Sequence, residues 1–293
     1  MLKRIVLIII IMIFCAVTLA IGRRVEKDSE EYKQIAPGFY EEDPLPYKTV
    51  YLTFDDGPSD WTAEILDTLE KEGVKATFFV CAIWAPDETR LLNGFRKYRD
   101  VLIRMIKDGN VIGNHTTTHK NFAVMSDKEI ARLLDDNQNL LNSELGEYSR
   151  QMTLIRTPKG APYHGPFPKA TRIRVARVLR KKGVVIMWSK HFDSTDSMEW
   201  VKGEWYTNGP RININDNAFK KKMKRIYDRL ISRADGKGIV VLFHDTHPTS
   251  KEILKEVIDK LKSEGYTFAT MEDYVQWRWH KSSADLLKED ARQ

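Results

Sequence analysis

The sequence predicts an α/β fold built from repeated parallel β/α units, and two observations carry that reading. Four times an amphipathic stretch ends in charged residues and a glycine, and an apolar strand follows. The copies are 69–73 before 76–80, 106–109 before 111–112, 180–183 before 184–187, and 262–265 before 266–268. Glycine just past a helix accepts the left-handed backbone that ends it. The second observation is a pair of capping boxes, Ser126 with Glu129 and Thr249 with Glu252, each opening a helix. Helices alternating with strands are crossover connections between parallel strands. Strands are expected near 49–54, 75–80, 110–113, 152–155, 184–188, 238–243 and 266–269. Seven such units form a β/α barrel or an open doubly wound sheet. In both, functional groups gather at the carboxyl ends of the strands.

The flanking segments read differently. Ile5 to Gly22 is an apolar run without a charge, preceded by Lys3 and Arg4 and followed by Arg23 and Arg24. That length is just enough to span a bilayer, and it also fits a signal peptide, with Thr18 and Ala20 as a weak cleavage site. Residues 1–24 are therefore expected to be a membrane anchor or a cleaved export signal. Either places the rest of the chain outside the cytoplasm, as a single-pass membrane protein or a secreted one. Val25 to Pro46 carries seven acids against Lys27 and Lys33, with Pro37, Gly38, Pro44 and Pro46, and reads as an extended acidic linker. A globular domain at 47–280 and a polar tail at 281–293 complete the expected organisation.

Composition excludes several function classes. At 293 residues and 42% hydrophobic content, with 7 Trp, 11 Tyr and 12 Phe, the chain is not disordered. Its two cysteines, Cys15 and Cys81, rule out a disulfide scaffold and a four-cysteine zinc site. A net charge of +6 invites a nucleic-acid partner. The leader alone supplies four basic residues and no acid, however, leaving 43 basic against 41 acidic groups beyond it. No nucleic-acid partner is expected. The basic runs in 169–182 and 220–225 are solvated helix faces by default, with attraction to an anionic wall or lipid surface as the functional alternative.

The strand-end rule sorts the polar residues. The first strand runs into Asp55-Asp56-Gly57-Pro58. The sequence suits a turn, but two adjacent carboxylates at a buried strand end also need a cation, a shared proton or an arginine. The third strand runs into Asn114-His115-Thr116-Thr117-Thr118-His119. Histidines at i and i+4 share one face of a helical turn, here with Asn114 as its N-cap. Two imidazoles so placed suit Zn²⁺, and two histidines with one aspartate leave coordination positions open, as in a catalytic site. The strand near 152–155 leads into Arg156-Thr157-Pro158-Lys159-Gly160. There an arginine can orient one of the paired carboxylates and a loop can present backbone N–H groups. The bland reading is a surface loop. Near 184–188 the chain leads to Asp193-Ser194-Thr195-Asp196, and the strand 238–243 ends in His244-Asp245. A histidine emerging there can act as a near-neutral acid or base, or serve as a core or capping residue.

Five segments in this order, Thr53-Phe54-Asp55-Asp56-Gly57, His115-Thr116-Thr117-Thr118-His119, Arg156-Thr157-Pro158-Lys159-Gly160, Asp193-Ser194-Thr195-Asp196 and Leu242-Phe243-His244, span nearly the whole expected domain. They resemble the polysaccharide deacetylases of the NodB-homology type, carbohydrate esterase family 4. The resemblance implies a distorted (β/α)7 barrel. It implies a divalent metal, Zn²⁺ first with Co²⁺ or Ni²⁺ as alternatives, held by Asp56, His115 and His119. Asp55 would be the general base, oriented by Arg156. His244 would protonate the leaving amine with support from Asp196. Leu242 would line the acetyl pocket, and Pro158, Lys159 and Gly160 would form the substrate-binding loop. The implied reaction is removal of N-acetyl or O-acetyl groups from an extracellular or cell-wall polysaccharide by a monomeric enzyme, with peptidoglycan N-acetylglucosamine foremost. Aspartate rather than asparagine at position 56 argues against the branch that acts on muramic acid.

Two departures stand out. Lys159 and Ser197 occupy places where many relatives carry an aromatic residue and a tryptophan, and Trp188 or Trp200 is the candidate substitute. Trp200, Trp205 and Tyr206 lie in a long irregular segment and could stack on sugar rings or pack in the core. A catalytically inactive glycan-binding paralogue is the alternative reading. A nucleic-acid phosphoesterase is disfavoured, because Asp56 follows Asp55 directly and no nucleic-acid-binding motif is present.

Overall fold

The computed structural model of the protein describes residues 30–82, 94–196 and 217–290. The apolar leader, the start of the linker, Ser197 and the aromatic segment with Trp200, Trp205 and Tyr206 lie outside the described residues. Among those described, no helix is long and apolar enough to cross a membrane. In chain order the elements are α1 (Glu31–Ile35), β1 (Gly38–Phe39), β2 (Thr49–Asp55), α2 (Thr62–Lys71), β3 (Thr77–Val80), α3 (Gly94–Lys97), α4 (Arg99–Lys107), β4 (Val111–Asn114) and α5 (Asp127–Leu145). They continue with β5 (Leu154–Ile155), α6 (Lys169–Leu179), β6 (Val184–Ile186), α7 (Asn217–Ile231), β7 (Ile239–His244), α8 (Pro248–Ser263), β8 (Thr267–Ala269), α9 (Met271–Trp279) and α10 (Ser283–Asp290).

All strand pairs are parallel, in the order β1-β6-β5-β4-β3-β2-β7, with β8 against the start of β2. The sheet curls until its ends meet. Beyond β6 the chain runs beside β7, where Ser189 N–H donates to Val240 O at 3.0 Å and Leu242 N–H donates to Phe192 O at 3.0 Å. A distorted barrel results, closed by an irregular stretch rather than by a regular strand.

Period-two alternation divides the sheet's two faces. Val50, Leu52 and Phe54 point outward beneath the helices, with Ile65, Leu69, Ile253 and Val257. Tyr51 points inward with Phe79, Leu154, Val185, Val240 and Leu242. The amino-terminal end of the interior is plugged by α9, whose Tyr274 ring meets Phe39 at 5.4 Å and Tyr51 at 6.0 Å. The strands' polar residues therefore concentrate at the carboxyl end.

Several expectations are corrected. From Glu31 onward the acidic segment is folded, not a solvated linker. Gly38 and Phe39 pair with Val185 and Ile186, and Tyr32, Phe39 and Tyr40 are buried. Tyr32 packs on Tyr40 and on Tyr163, each at 5.0 Å between rings. Three aromatic anchors outweigh the charges, which stay at the surface. Within the polar tail, Ser283–Asp290 form a helix, tied down where Ser283 N–H donates to Glu272 Oε1 at 2.8 Å. Gly73, Gly109 and Gly265 are left-handed as expected, with φ of 62°, 80° and 80°. Gly183 is not among the left-handed glycines. It is required by close approach, since a Cβ there would lie 2.5 Å from Thr153 O. Ser126 and Glu129 form their capping box. Thr249 does not cap: Pro248 opens α8 with His247 at the N-cap, because proline's fixed φ suits the first helical position. The basic stretch 169–182 turns back on the molecule, where Arg174 meets Asp127 at 2.6 Å, Lys182 meets Asp135 at 2.7 Å and Lys169 meets Glu31 at 3.1 Å.

Replacing Gly183 with alanine forces a methyl group against the Thr153 carbonyl just before β5. A loss of about 1–3 kcal/mol is expected, measured by urea denaturation. An unchanged midpoint would contradict the close-approach assignment.

Candidate active site

Register brings the sequence-predicted residues together. Asp55 ends β2 and pairs with His244 on β7 and Phe79 on β3. Asn114 pairs with Ile155, so His115 and Arg156 leave adjacent strands side by side.

Arg156 is completely buried and reaches across the interior. Its Nη1 donates to Asp55 Oδ1 at 2.9 Å and to Thr53 Oγ1 at 2.6 Å. Nε and Nη2 donate to the backbone oxygens of Ile186 and Met187, both at 2.9 Å. The guanidinium lies over the Phe79 ring at 4.2 Å. Of the paired carboxylates, Asp55 is the one Arg156 orients.

Asp56 turns away from the strand at φ 74°, a conformation aspartate tolerates better than most residues. Its Oδ1 lies 3.3 Å from Nε2 of both His115 and His119, and the two rings are 5.0 Å apart. The histidines do not sit on a helical turn as expected. They lie on an irregular loop, with Thr116 and His119 left-handed at φ 70° and 51°. Asn114 does not cap a helix but braces this loop. Its side-chain oxygen accepts from Thr116 N–H at 2.9 Å, and its amide donates to Leu134 O at 2.9 Å.

The donor set fits a cation. His115 Nδ1 lies 2.8 Å from Arg156 O. A carbonyl only accepts, so Nδ1 carries a proton, and the neutral form of His115 has its lone pair at Nε2. Asp56 Oδ1 is buried and receives no hydrogen bond. Asp56, His115 and His119 offer three ligand atoms within 4.8 Å of one another. Burial would raise the Asp56 carboxyl, but the neighbouring His119 and His115 hold it well below the usual carboxylate range. Burial pushes His119 down to about 4, keeping it neutral. Burial also opposes a charge on His115, but Asp55 and Asp56 outweigh it and draw a proton there.

On the other side of Asp55, His244 Nδ1 meets Asp196 Oδ1 at 2.7 Å, and His244 N–H donates to Asp196 Oδ2 at 2.7 Å. The Ser250 hydroxyl also donates to Asp196 Oδ2. A backbone bridge between Asp193 and Leu242 seats the 193–196 turn beside β7. Burial disfavours the imidazolium, but Asp196 overrides it and pushes His244 up to about 10. Burial acts on Asp196 in the raising direction, yet the His244 charge holds it well below its ordinary value.

Leu242 lies on the same inward face as His244, buried, opposite Thr53. Pro158 and Gly160 are buried, and Lys159 is exposed with φ 59°. Trp188 is buried and 5.8 Å from the Arg156 guanidinium, so it flanks the Asp55 side of the site. Sequence reasoning gave no role to Thr53, Ser250 or Asp245. Thr53 was within reach, because alternation places it on the face of Asp55. Ser250 and Asp245 follow no pattern that points to Asp196 or to the Asp56 turn. Burial pushes the Asp245 carboxyl up to about 7.

Comparison with known proteins places the chain in a family. A family model described as polysaccharide deacetylase matches residues 42–182. YheN of Bacillus subtilis, provisionally assigned by name to the polysaccharide deacetylases, is 32% identical over 232 residues, covering 77% of this chain and 68% of YheN. The chain belongs to the polysaccharide deacetylase family. A second member, PdaC of Bacillus subtilis, is named a peptidoglycan-N-acetylmuramic acid deacetylase and is 30% identical over 225 residues. That alignment covers 76% of this chain but only 38% of PdaC. A solved PdaC structure matches the fold with a TM-score of 0.55 at 28% identity, covering 85% of this chain and 93% of that one. A pseudoenzyme of carbohydrate esterase family 4 from Bacillus anthracis shares the fold at 20% identity and a TM-score of 0.58, covering 81% of this chain and 68% of its own.

The Asp196–His244 pair makes stability depend on pH. The raised His244 pKa gives stability that is complete below about 6.5, the free imidazole value, and lost as pH rises through about 10. The lowered Asp196 pKa gives stability present above about 3.9 and lost on acidification. Breaking a buried pair costs about 3–5 kcal/mol. Asp196→Asn should therefore destabilise the protein most between about pH 4 and 6.5, with the difference from wild type shrinking as pH approaches and passes 10. Urea midpoints across pH check this, and a difference constant from acid to alkaline pH would contradict it.

Proposed function

We propose that the protein is a metal-dependent polysaccharide N-deacetylase acting on an N-acetylated cell-wall polymer, with peptidoglycan N-acetylglucosamine as the leading substrate. The observation that carries the reading is the convergence at one barrel end of an arginine-clamped carboxylate, an Asp–His–His cluster whose buried carboxylate oxygen has no hydrogen bond, and an Asp-supported histidine. Their distances suit hydrolysis of an amide rather than a merely folded groove.

Asp56, His115 and His119 would hold the ion, with Zn²⁺ favoured by two imidazoles and one carboxylate. When bound, the ion supplies Lewis-acid polarisation and lowers the pKa of a water molecule. It would also replace the proton that the carboxylates draw to His115. Asp55, fixed by Arg156, takes a proton from the attacking water as its oxygen bonds to the acetyl carbon. Gly160 and Ala161 spend their N–H groups on Thr157 O and Pro158 O, at 3.0 and 3.1 Å. The Lys159 N–H is therefore the candidate donor to the carbonyl oxygen as it gains negative charge. His244, kept protonated by Asp196, gives a proton to the sugar nitrogen as the C–N bond breaks. Acetate and a free amino sugar leave. Leu242 supports a small apolar pocket for the acetyl methyl group.

The apolar leader supports placement outside the cytoplasm, anchored to the membrane or released after cleavage, and a monomer suffices because every proposed residue lies on one chain. The similarity to PdaC makes N-acetylmuramic acid a necessary arm of the substrate test, despite aspartate at position 56.

Acetate release from peptidoglycan, chitooligosaccharides and acetylated xylan tests the reading. The Zn²⁺ protein should release acetate from an N-acetylated polymer and lose activity when stripped by chelator. Asp55→Asn should lower kcat by about 10²–10⁴-fold while retaining the metal. No acetate from any substrate, with metal bound, would favour the inactive glycan-binding reading. Full activity of Asp55→Asn would overturn the role of Asp55.

A further inference from the structure

The mechanism leaves one buried acid unused. Asp245 follows His244 and is 1% exposed. Its Oδ2 accepts from Thr62 Oγ1 at 2.6 Å, and Thr62 Oγ1 in turn accepts from Ser59 N–H at 2.8 Å. The Asp245 backbone oxygen accepts from Ser59 Oγ at 2.5 Å. The carboxyl group lies against the Gly57 backbone, so a Cβ on Gly57 would fall 1.9 Å from Oδ2 and 2.2 Å from Oδ1. From the other side, Gly57 O accepts from Cys81 N–H at 2.8 Å. Gly57 is thus gripped between the chain leaving β3 and the chain leaving β7.

Gly57 is the next residue after Asp56, whose left-handed backbone aims its carboxylate at His115 and His119. A shift of Gly57 moves Asp56 Oδ1 with it, whereas the histidines are braced separately through Asn114 and Arg156. The two halves of the cluster are therefore built on different supports, and Asp245 supports the carboxylate half. Groups behind the ligands set metal affinity by fixing ligand orientation.

We propose that Asp245 is a positioning residue that clamps the Gly57–Thr62 turn and so presets the Asp56–His115–His119 cluster for its divalent cation. This rests on the reading of that cluster as a metal site, and the test separates the two.

Zn²⁺ affinity of the full chain is measured by competition with a chromophoric chelator, alongside the visible spectrum of the Co²⁺-loaded protein and a thermal melt. Wild type should bind one ion. Asp245→Ala should weaken binding by about 10–100-fold, the usual effect of losing a group behind a ligand, and shift the Co²⁺ bands. Thr62→Val, which keeps the size but removes the donor to Asp245, should weaken it by about 3–10-fold. Asp245→Asn keeps the shape and the acceptor and should bind within about 3-fold of wild type. If Asp245→Ala does not fold, Thr62→Val decides. A wild-type protein that binds no ion would overturn the metal reading and the clamp with it. Folded Ala and Val variants with wild-type affinity and spectrum would overturn the clamp alone. So would an Asn variant as weak as Ala.

Discussion

The buried Arg156 guanidinium is the interaction on which the rest of the site depends. It follows directly on β5, ends against Asp55 on β2, and spends its other donors on Thr53 and on the backbone of Ile186 and Met187 at the end of β6. A buried charge of this kind is tolerated only when its geometry and hydrogen bonds are complete. Completing them fixes three strands of a curled sheet relative to one another. It also fixes His115 indirectly, because the Arg156 carbonyl receives the Nδ1 proton. One residue thus orients the proposed base through its side chain and a proposed ligand through its backbone.

Backbone strain concentrates at the same end of the barrel. Of the eight left-handed non-glycine residues described, five, Asp56, Thr116, His119, Lys159 and Thr195, belong to the site's loops. Each costs about 1–2 kcal/mol, and such residues cluster where function constrains the chain. The costs are offset by specific bonds, as with Asn114 to Thr116 and Asp193 to Thr195. The amino-terminal end holds none of the site residues and is packed, with Tyr274 plugging it, although Lys48 before β2 is also left-handed at φ 48°.

Much of this was legible in the sequence, for physical reasons. Strands followed by helices that end in glycine leave a strong periodic signal, and all seven expected strands are present within a residue or two. The strand-end rule then assembled Asp55, Asp56, His115, Arg156, Asp196 and His244 without any distance in hand. What the sequence obscured came from tertiary packing. Tyr32 and Tyr40 fold a segment whose charge and prolines suggest a linker. The histidine spacing suggests a helical turn, but Asn114 holds an irregular loop instead. Ser250 and Asp245 meet their partners only through the three-dimensional path of the chain, whereas the pairing of Arg156 with Asp55 was already implied by the family resemblance.

On the proposed reading Asp56, His115 and His119 hold the cation, while Asp196 and His244 serve proton transfer. A second group of similar composition, Asp196 with His244 and His247, also gathers its ligand atoms within 4.8 Å, so location is the decisive question. Anomalous scattering from crystals of the Zn²⁺-loaded protein, collected on both sides of the zinc absorption edge, answers it directly. A single anomalous peak is expected within bonding distance of Asp56, His115 and His119. A peak at Asp196, His244 and His247 instead, or none in protein shown to contain zinc, would contradict that reading.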